Sequence, residues 1–118
     1  MPTPVDSRLS VDVVVVGGGP AGLTAATYLG RFLRSCVVLD AGDSRAKWIP
    51  ESDNCPGFPN GVAGVELLRR MKAQALEFGA RFESAQVDRI EVGADAFVLS
   101  SDAGSWRARS VIDRKSVV

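Results

Sequence analysis

The chain has 118 residues, the size of one small domain or of part of a larger one. Its 14 basic side chains balance 14 acidic ones, so the net charge is zero and gives no basic surface for nucleic acid or an anionic membrane. Histidine is absent, which excludes Ser-His-Asp catalysis, Cys-His catalysis and histidine-ligated metal sites within this sequence. Hydrophobic residues make up 46% of the chain, enough to build a folded core.

Cysteine usage and hydropathy favour a cytoplasmic protein. Cys36 and Cys55 are too few and too far apart for a disulfide scaffold, a zinc site or a Cys-x-x-Cys redox pair. Residues 1–10 lack the basic start of a signal peptide and are predicted to form a disordered or loosely attached leader. The uncharged stretch 13–30 approaches the length of a membrane span, but the Gly-Gly-Gly-Pro sequence near its centre would break such a helix. We therefore expect no membrane segment.

The predicted elements alternate between strand and helix in the first half of the chain. Residues 11–16 are mostly β-branched, which is typical of a central parallel strand covered on both faces. A helix is predicted from Pro20 to about Leu33, followed by an apolar strand at 36–40. Residues 41–61 are rich in proline and glycine and are predicted to form a long functional loop. A second helix is predicted at 62–78, with Leu68, Met71, Ala75 and Phe78 on one face.

Three short strand-like segments follow the second helix. They cover residues 86–92, 96–100 and 106–112, and turn sequences separate them. The order of elements predicts an α/β fold, a Rossmann-like parallel sheet with a small β-meander.

A Gly-x-Gly-x-x-Gly sequence joins the first strand to the first helix. Asp40 follows at the end of the second strand, about 20 residues further on, so the context is that of a dinucleotide-binding fingerprint. Gly17 would permit the tight turn, Gly19 the close approach of a pyrophosphate, and Gly22 the contact between helix and strand. The helix start would hold phosphates, and Asp40 would bind both ribose hydroxyls and repel a 2′-phosphate. A purely structural glycine-rich turn is the alternative.

With these motifs the sequence resembles the flavin-containing pyridine nucleotide–disulfide oxidoreductases, and among them the thioredoxin reductase-like proteins. The resemblance implies that residues 11–112 are the N-terminal part of an FAD-binding domain, and that a separate domain binds NADPH. Electrons would pass from NADPH through FAD to a disulfide of a thioredoxin-like protein or a small substrate. The full-length protein would be a homodimeric enzyme, and this part alone would be inactive. The segments that carry the resemblance are Val13–Gly22 (VVVVGGGPAG), Leu39–Arg45 (LDAGDSR), Asp53–Gly64 (DNCPGFPNGVAG) and Met71–Phe82.

The same resemblance implies a set of cofactor-binding residues but no catalytic residue in this chain. The FAD pyrophosphate would lie on the glycine loop and the adenosine ribose on Asp40, with the next two residues lining the groove. Arg45 would lie near the phosphates or be a solvated surface arginine. Asn54 would face the ribityl chain or the flavin, or cap a turn, and the backbone of Val87 would meet the adenine. The cofactor-binding residues implied are Gly17, Gly18, Gly19, Pro20, Ala21, Gly22, Asp40, Ala41, Gly42, Arg45, Asn54 and Val87.

Several positions depart from the family pattern. Cys55 stands where relatives more often have a large residue, but with no second cysteine nearby it is not expected to be catalytic. Cys36 is expected to be a small buried hydrophobe, and Trp48 and Trp106 are expected to pack in the core rather than stack on a flavin. The first helix ends with the sequence 32–34 (FLR), where relatives often have a glycine, which leaves its cap geometry open.

Residues 113–118 are predicted to be a non-native tail. They stand in place of the small-residue segment that the family has at this point, and a common sequencing-adapter sequence read in frame encodes the same residues. Without that segment the parallel sheet is expected to be incomplete, with an unpaired edge. Three alternatives stay open: a related flavoprotein such as a ferredoxin–NADP reductase or a monooxygenase-like protein, a non-catalytic nucleotide-binding fragment, and an NAD-binding module.

Overall fold

The computed structural model describes residues 10–42, 57 and 60–113, and all structural statements concern these residues. Neither of the helices found there has the length and hydropathy that a membrane crossing requires. The predicted α/β class is confirmed. The strands are β1 (Ser10–Val16), β2 (Cys36–Asp40), β3 (Arg81–Ser84), β4 (Val87–Val92), β5 (Phe97–Ser101) and β6 (Gly104–Asp113), and the helices are α1 (Pro20–Arg31) and α2 (Gly64–Glu77).

All of these strands belong to one sheet, in the order β3-β2-β1-β6-β5-β4. The first four strands in this order are parallel, and β4, β5 and the beginning of β6 form an antiparallel meander. β6 joins the two parts because residues 104–108 pair with β5 while residues 107–113 pair with β1. The meander is thus continuous with the parallel sheet. β1 has a paired strand on each side, and the outer strands of the described sheet are β3 and β4.

A different layer covers each face of the parallel strands. Val13 and Val15 of β1 belong to a buried cluster that also contains Ala26 of α1 and Ala75 of α2. The intervening valines of β1 belong to a second buried cluster, which includes Leu99 of the meander. β1 and β2 are therefore covered on both faces, as their nearly continuous apolar sequences predicted.

Trp106 and Cys36 are the described residues among those predicted to be buried, and both are in the core. Trp106 is 4% exposed and lies in the cluster beneath the meander. Cys36 is 2% exposed, and burial raises the pKa of its thiol to about 11, so it remains an unreactive thiol in the folded chain. Trp48 and Cys55 lie outside the described residues.

The structure corrects several predicted boundaries. β1 begins at Ser10, a residue predicted to belong to the leader, and β6 extends to Asp113, which pairs with Val16 of β1. β3 (residues 81–84) was missed because Phe82 is its one apolar residue, and only pairing with β2 identifies it as a strand. Of the predicted apolar face of α2, Phe78 is 41% exposed and lies just beyond the end of the helix.

The predicted end of α1 also needs correction. The helix stops at Arg31, and the next turn forms a Schellman motif, in which the Leu33 N–H donates to the Gly30 carbonyl at 3.0 Å and the Arg34 N–H donates to the Leu29 carbonyl at 2.9 Å. Leu33 has a φ of +60° and is 90% exposed. A leucine therefore occupies the left-handed position that glycine usually fills, at a cost of about 1–2 kcal/mol.

We expect Leu33→Gly to raise the free energy of unfolding by about 1 kcal/mol, because glycine removes this strain and the exposed leucine side chain is not part of the core. Urea denaturation of the 118-residue chain measures the change. The matched control is Gly79, which has a φ of +100° at the same position of the cap that follows α2. Gly79→Ala should lower stability by about 1 kcal/mol. A Leu33→Gly chain no more stable than the wild type would contradict the strain argument.

Candidate functional site

The glycine loop turns sharply between β1 and α1. Gly17 has a φ of +108°, and its N–H donates a hydrogen bond to the Leu39 carbonyl at 2.9 Å. A Cβ placed on Gly22 would collide with the carbonyl oxygen of Gly17 and would lie 3.2 Å from Val15 Cγ1. The first and third glycines of the fingerprint thus have the conformation and the close packing that the motif requires.

The amino end of α1 presents unoccupied donors next to this turn. Gly19 is the N-cap residue, Pro20 follows at the first helical position, and no side chain in the described part of the chain caps the helix. Pro20 has no N–H, and the Leu23 N–H donates to the Gly19 carbonyl at 2.9 Å. The N–H groups of Gly19, Ala21 and Gly22 are therefore the ones without an acceptor within the helix, and the first turn contains no acidic residue. Together with the positive end of the helix dipole, these donors suit a phosphate.

Asp40 closes the loop from the end of β2. Its Oδ1 accepts a hydrogen bond from the Gly42 N–H at 2.9 Å. On its other side the carboxylate lies against Gly18, which is buried: a Cβ on that glycine would be 2.5 Å from Asp40 Oδ2. The structure therefore brings the acid into contact with the loop. Asp40 is partly exposed, so its remaining acceptor capacity is open to a ligand.

A shallow crevice of about 30 Å³ lies beside the loop at the carboxyl ends of β1 and β2. Residues 85–87 form the wall of the crevice opposite the loop, and two hydrogen bonds hold them in place. The Ala85 N–H donates to the Asp40 carbonyl at 3.2 Å, and the Gln86 N–H donates to the Asp102 carboxylate at 3.1 Å. A β-bulge follows at the start of β4. The crevice is lined by Val16, Gly17, Leu39, Ala41, Ala85, Gln86 and Val87.

Known proteins share both the sequence and this fold. The NAD(P)-binding Rossmann-like domain family matches residues 15–63. The chain is 34% identical over 113 residues to the bifunctional thioredoxin reductase/thioredoxin of Mycobacterium leprae, a match that covers 93% of this chain and 25% of that protein. It is 37% identical over 103 residues to the thioredoxin reductase of Treponema pallidum, covering 86% of this chain and 34% of that protein. The structure of a thioredoxin reductase from Gloeobacter violaceus matches with a TM-score of 0.85 and 33% identity, covering 89% of this chain and 36% of that one.

The chain is homologous to the dinucleotide-binding domain of thioredoxin reductases. It spans about a quarter to a third of the length of the relatives named above. The resemblance to thioredoxin reductase-like proteins, which rests on the glycine loop and on residues 53–64 among other segments, is confirmed.

In this thioredoxin reductase homologue, most of the site residues implied by the sequence gather at one edge of the sheet. Arg45 and Asn54 lie outside the described residues, and their contacts stay predictions. Asp102 and Gln86 were missed as site residues. Asp102 lies in a turn sequence, and nothing in the sequence indicates that its carboxylate holds a segment so far from it in the chain. The gathered residues are Gly17, Gly18, Gly19, Pro20, Ala21, Gly22, Asp40, Ala41, Gly42 and Val87.

A pocket of about 200 Å³ lies on the α2 side of Asp40, and its basic side chains already have partners. Arg69, which lines the pocket, pairs with Glu66 at 2.6 Å; Arg70, outside the pocket, pairs with the same carboxylate, and the two hydrogen-bonding arginines lower the pKa of Glu66 to about 2. The Lys72 ammonium lies 5.0 Å from the centre of the Phe82 ring. We therefore assign no ligand to this pocket.

Another pocket, of about 280 Å³, lies at the amino ends of β1 and β2, and polar residues of its lining form hydrogen bonds with each other. The Asp12 carboxylate accepts a hydrogen bond from the Ser35 N–H at 2.9 Å, and the Asp12 N–H donates to Ser35 Oγ at 2.7 Å. These bonds from Ser35 hold the pKa of Asp12 below its usual value. They join the start of β1 to the residue before β2, far from the glycine loop.

Proposed function

We propose that the chain is the FAD-binding portion of an NAD(P)H-dependent flavin oxidoreductase of the thioredoxin reductase type. In the whole protein, electrons would pass from NADPH through FAD to a disulfide or a similar acceptor. FAD supplies the redox chemistry when bound, and the residues of this chain bind and orient it. The observation that carries the proposal is the contact between the glycine loop and the Asp40 carboxylate at the carboxyl edge of a parallel sheet.

The described residues fit the adenosine diphosphate half of FAD. The start of α1 offers N–H donors to the pyrophosphate, and apart from Gly17 and its chain neighbours no atom of the described residues lies within 4 Å of the Cβ position of Gly17, which leaves room for a ligand there. Asp40 offers a carboxylate to the adenosine ribose. The crevice beside Ala41 and Val87 offers a wall for the adenine. We propose Arg45 for the phosphates and Asn54 for the ribityl chain or the flavin ring.

An NAD-binding module is the second candidate. FAD and NAD share the adenosine diphosphate group, so the loop and Asp40 suit either ligand, and the matching domain family is described as NAD(P)-binding. The preference for FAD rests on the homology to thioredoxin reductases. Titration of the 118-residue chain with FAD, followed by flavin fluorescence with NAD⁺ as competitor, separates the two. Tighter binding of FAD supports the flavoprotein, and binding of NAD⁺ but not FAD would identify an NAD module.

Asp40→Ala is expected to weaken FAD binding by about 10- to 100-fold, because the ribose would lose charge-assisted hydrogen bonds worth about 1.5–3 kcal/mol. Flavin fluorescence titration gives the dissociation constant. The matched control is Asp95→Asn, which removes an acid whose side chain is 85% exposed in the turn between β4 and β5. It should leave FAD affinity unchanged. If both variants bind FAD as the wild type does, Asp40 does not hold the ribose.

For the whole protein we propose a thioredoxin-like protein or a small disulfide as electron acceptor, a homodimeric assembly and a cytoplasmic location. A disulfide acceptor requires a Cys-x-x-Cys pair outside this chain. The product of the complete gene should then reduce a thioredoxin-like disulfide with NADPH. A complete gene with no such pair would favour a ferredoxin–NADP reductase or a monooxygenase-like protein instead.

A further inference from the structure

We propose that Asp102 is a positioning residue: its carboxylate fixes residues 85–87, the wall of the crevice that faces the adenine, and thereby sets how tightly the chain binds the adenine end of a dinucleotide. Asp102 acts through its hydrogen bond to the backbone of that wall, and not by touching the nucleotide. The inference rests on the proposed function, since it concerns how the same site holds the adenine.

The crevice wall is the short link between β3 and β4, and it is anchored at its first residue. Ala85 is 5% exposed, and its N–H donates to the Asp40 carbonyl at 3.2 Å. The next residue, Gln86, is exposed, so burial of its side chain does not fix its position. Beyond Ala85 the wall therefore depends on hydrogen bonds to neighbouring segments.

Strand pairing gives the other end of the wall only limited support. Val87 pairs with Ser101 of β5, and the pairing then shifts its register before Arg89. Such a β-bulge leaves one residue unpaired and disrupts the ladder locally. The wall thus lies next to an irregular start of β4 rather than to a continuous ladder.

The Asp102 carboxylate holds the middle of the wall. Its Oδ1 accepts a hydrogen bond from the Gln86 N–H at 3.1 Å, and the two residues are 16 positions apart in the chain. A hydrogen bond to an ionised acceptor is about twice as strong as one between neutral groups. This bond therefore ties the crevice wall to the turn between β5 and β6.

The turn that carries Asp102 is held by other groups. Ser101 Oγ accepts the Ala103 N–H at 3.0 Å and donates to the Gly104 carbonyl at 2.9 Å. Ser101 and Gly104 are also partners in the β5–β6 ladder, so the turn is a tight hairpin. An aspartate in a turn commonly bonds to its own turn, but here the serine makes the local bonds and the carboxylate reaches Gln86. The acceptor is thus presented to the wall from a rigid support.

Loss of this acceptor would affect one part of the nucleotide. Residues 85–87 would meet the adenine, whereas the glycine loop and Asp40 would meet the diphosphate and the ribose. Without the hydrogen bond the wall has more conformational freedom, and adenine binding has to order it at a cost in affinity. The affinity for a ligand that contains adenine should fall, and the affinity for the same ligand without the base should not.

Calorimetric titration of the 118-residue chain with ADP and with ribose 5-diphosphate, which lacks the adenine, tests the inference. We expect Asp102→Ala to weaken ADP binding by about 5-fold or more and ribose 5-diphosphate binding by less than about 2-fold. Asp102→Asn keeps a side-chain oxygen as acceptor, so it should bind ADP within about 2-fold of the wild type. Partial unfolding of a variant would lower the apparent affinity for both ligands by the same factor, so a loss of stability leaves the ratio of the two affinities unchanged.

Two other acids provide the controls. Asp95→Ala removes a carboxylate that is 85% exposed in the turn between β4 and β5, and it should leave both affinities unchanged. Asp40→Ala should weaken the binding of both ligands by a similar factor, because both contain the ribose. Only Asp102→Ala is expected to act on ADP selectively.

The adverse outcomes separate this inference from the proposed function. If Asp102→Ala weakens both ligands equally, or neither of them, Asp102 does not position the adenine-facing wall. If Asp102→Asn binds ADP as poorly as Asp102→Ala, the hydrogen bond to Gln86 is not what holds the wall. If the wild-type chain binds ADP no more tightly than ribose 5-diphosphate, the adenine does not use the crevice, and the positioning role is wrong while the glycine loop and Asp40 still bind the rest. If the wild-type chain binds neither ADP nor FAD, the proposed function itself is wrong.

Discussion

Gly22→Ala is expected to lower the free energy of unfolding by about 3 kcal/mol and to weaken FAD binding by at least about 10-fold. The added Cβ would collide with the carbonyl oxygen of Gly17, which is backbone held by the turn and cannot rotate away as a side chain could. It would also lie 3.2 Å from Val15 Cγ1. Relief requires the start of α1 to move away from β1, which carries the phosphate-facing N–H groups out of position. Urea denaturation and flavin fluorescence titration measure the two effects.

Thr24→Ala is the control for this substitution, in the same turn of α1. The Thr24 hydroxyl donates to the Pro20 carbonyl at 2.7 Å on the exposed side of the helix, and this bond is local to the helix. Its loss should change stability by less than about 0.5 kcal/mol and leave FAD binding unchanged. A Gly22→Ala chain with wild-type stability and affinity would mean that the close contact between helix and loop is dispensable.

Gly30→Ala is expected to destabilise the chain by about 2 kcal/mol, although alanine is the better helix former by about 1 kcal/mol. Gly30 is buried where the last turn of α1 meets the end of α2. A Cβ there would collide with the carbonyl oxygen of Phe78 and would lie 2.9 Å from Phe78 Cβ. The two helices would have to separate, and the apolar contacts of both with β1 and β2 would weaken. Urea denaturation gives the change in the free energy of unfolding.

Ala73→Gly provides the reference for ordinary helix propensity, because Ala73 is exposed on α2. Ala73→Gly should destabilise the chain by about 1 kcal/mol. Alanine is then the more stabilising residue at position 73, and glycine is the more stabilising residue at position 30. Stabilisation by Gly30→Ala would show that the helices can separate at no cost. FAD affinity should change little in Gly30→Ala, since residue 30 lies at the opposite end of α1 from the glycine loop.

The parts of this fold that could be predicted are those encoded by local patterns. Four patterns stand close together in the sequence: the β-branched run of β1, the Gly-x-Gly-x-x-Gly loop, the apolar residues 36–39 and Asp40. In chain order they indicate a strand, a turn that leads into a helix, and a second strand. The meander could be predicted in outline because turn sequences separate its strands. The homology to thioredoxin reductases was visible for the same reason, since the motifs that carry it are contiguous.

The parts that could not be predicted depend on contacts between distant residues. β3 has almost no apolar pattern and exists as a strand because β2 offers it a pairing edge. The Asp102 carboxylate, in the turn after β5, accepts a hydrogen bond from the Gln86 N–H just before β4, and Phe78, just beyond the end of α2, contacts Gly30 of α1. The left-handed Leu33 departs from the residue preference that sequence analysis relies on at helix ends.

The sequence by itself thus determined the fold class, the position of the nucleotide loop and the acid that faces it, because these follow from periodicity and from residue types at fixed spacing. Only the tertiary structure decided which glycines are required by conformation and which by the space that a neighbour occupies. Gly17 has a positive φ, whereas Gly22 is confined by the backbone carbonyl of the turn. The distinction is physical: a dihedral preference belongs to one residue, whereas exclusion of a Cβ belongs to a pair that the fold brings together.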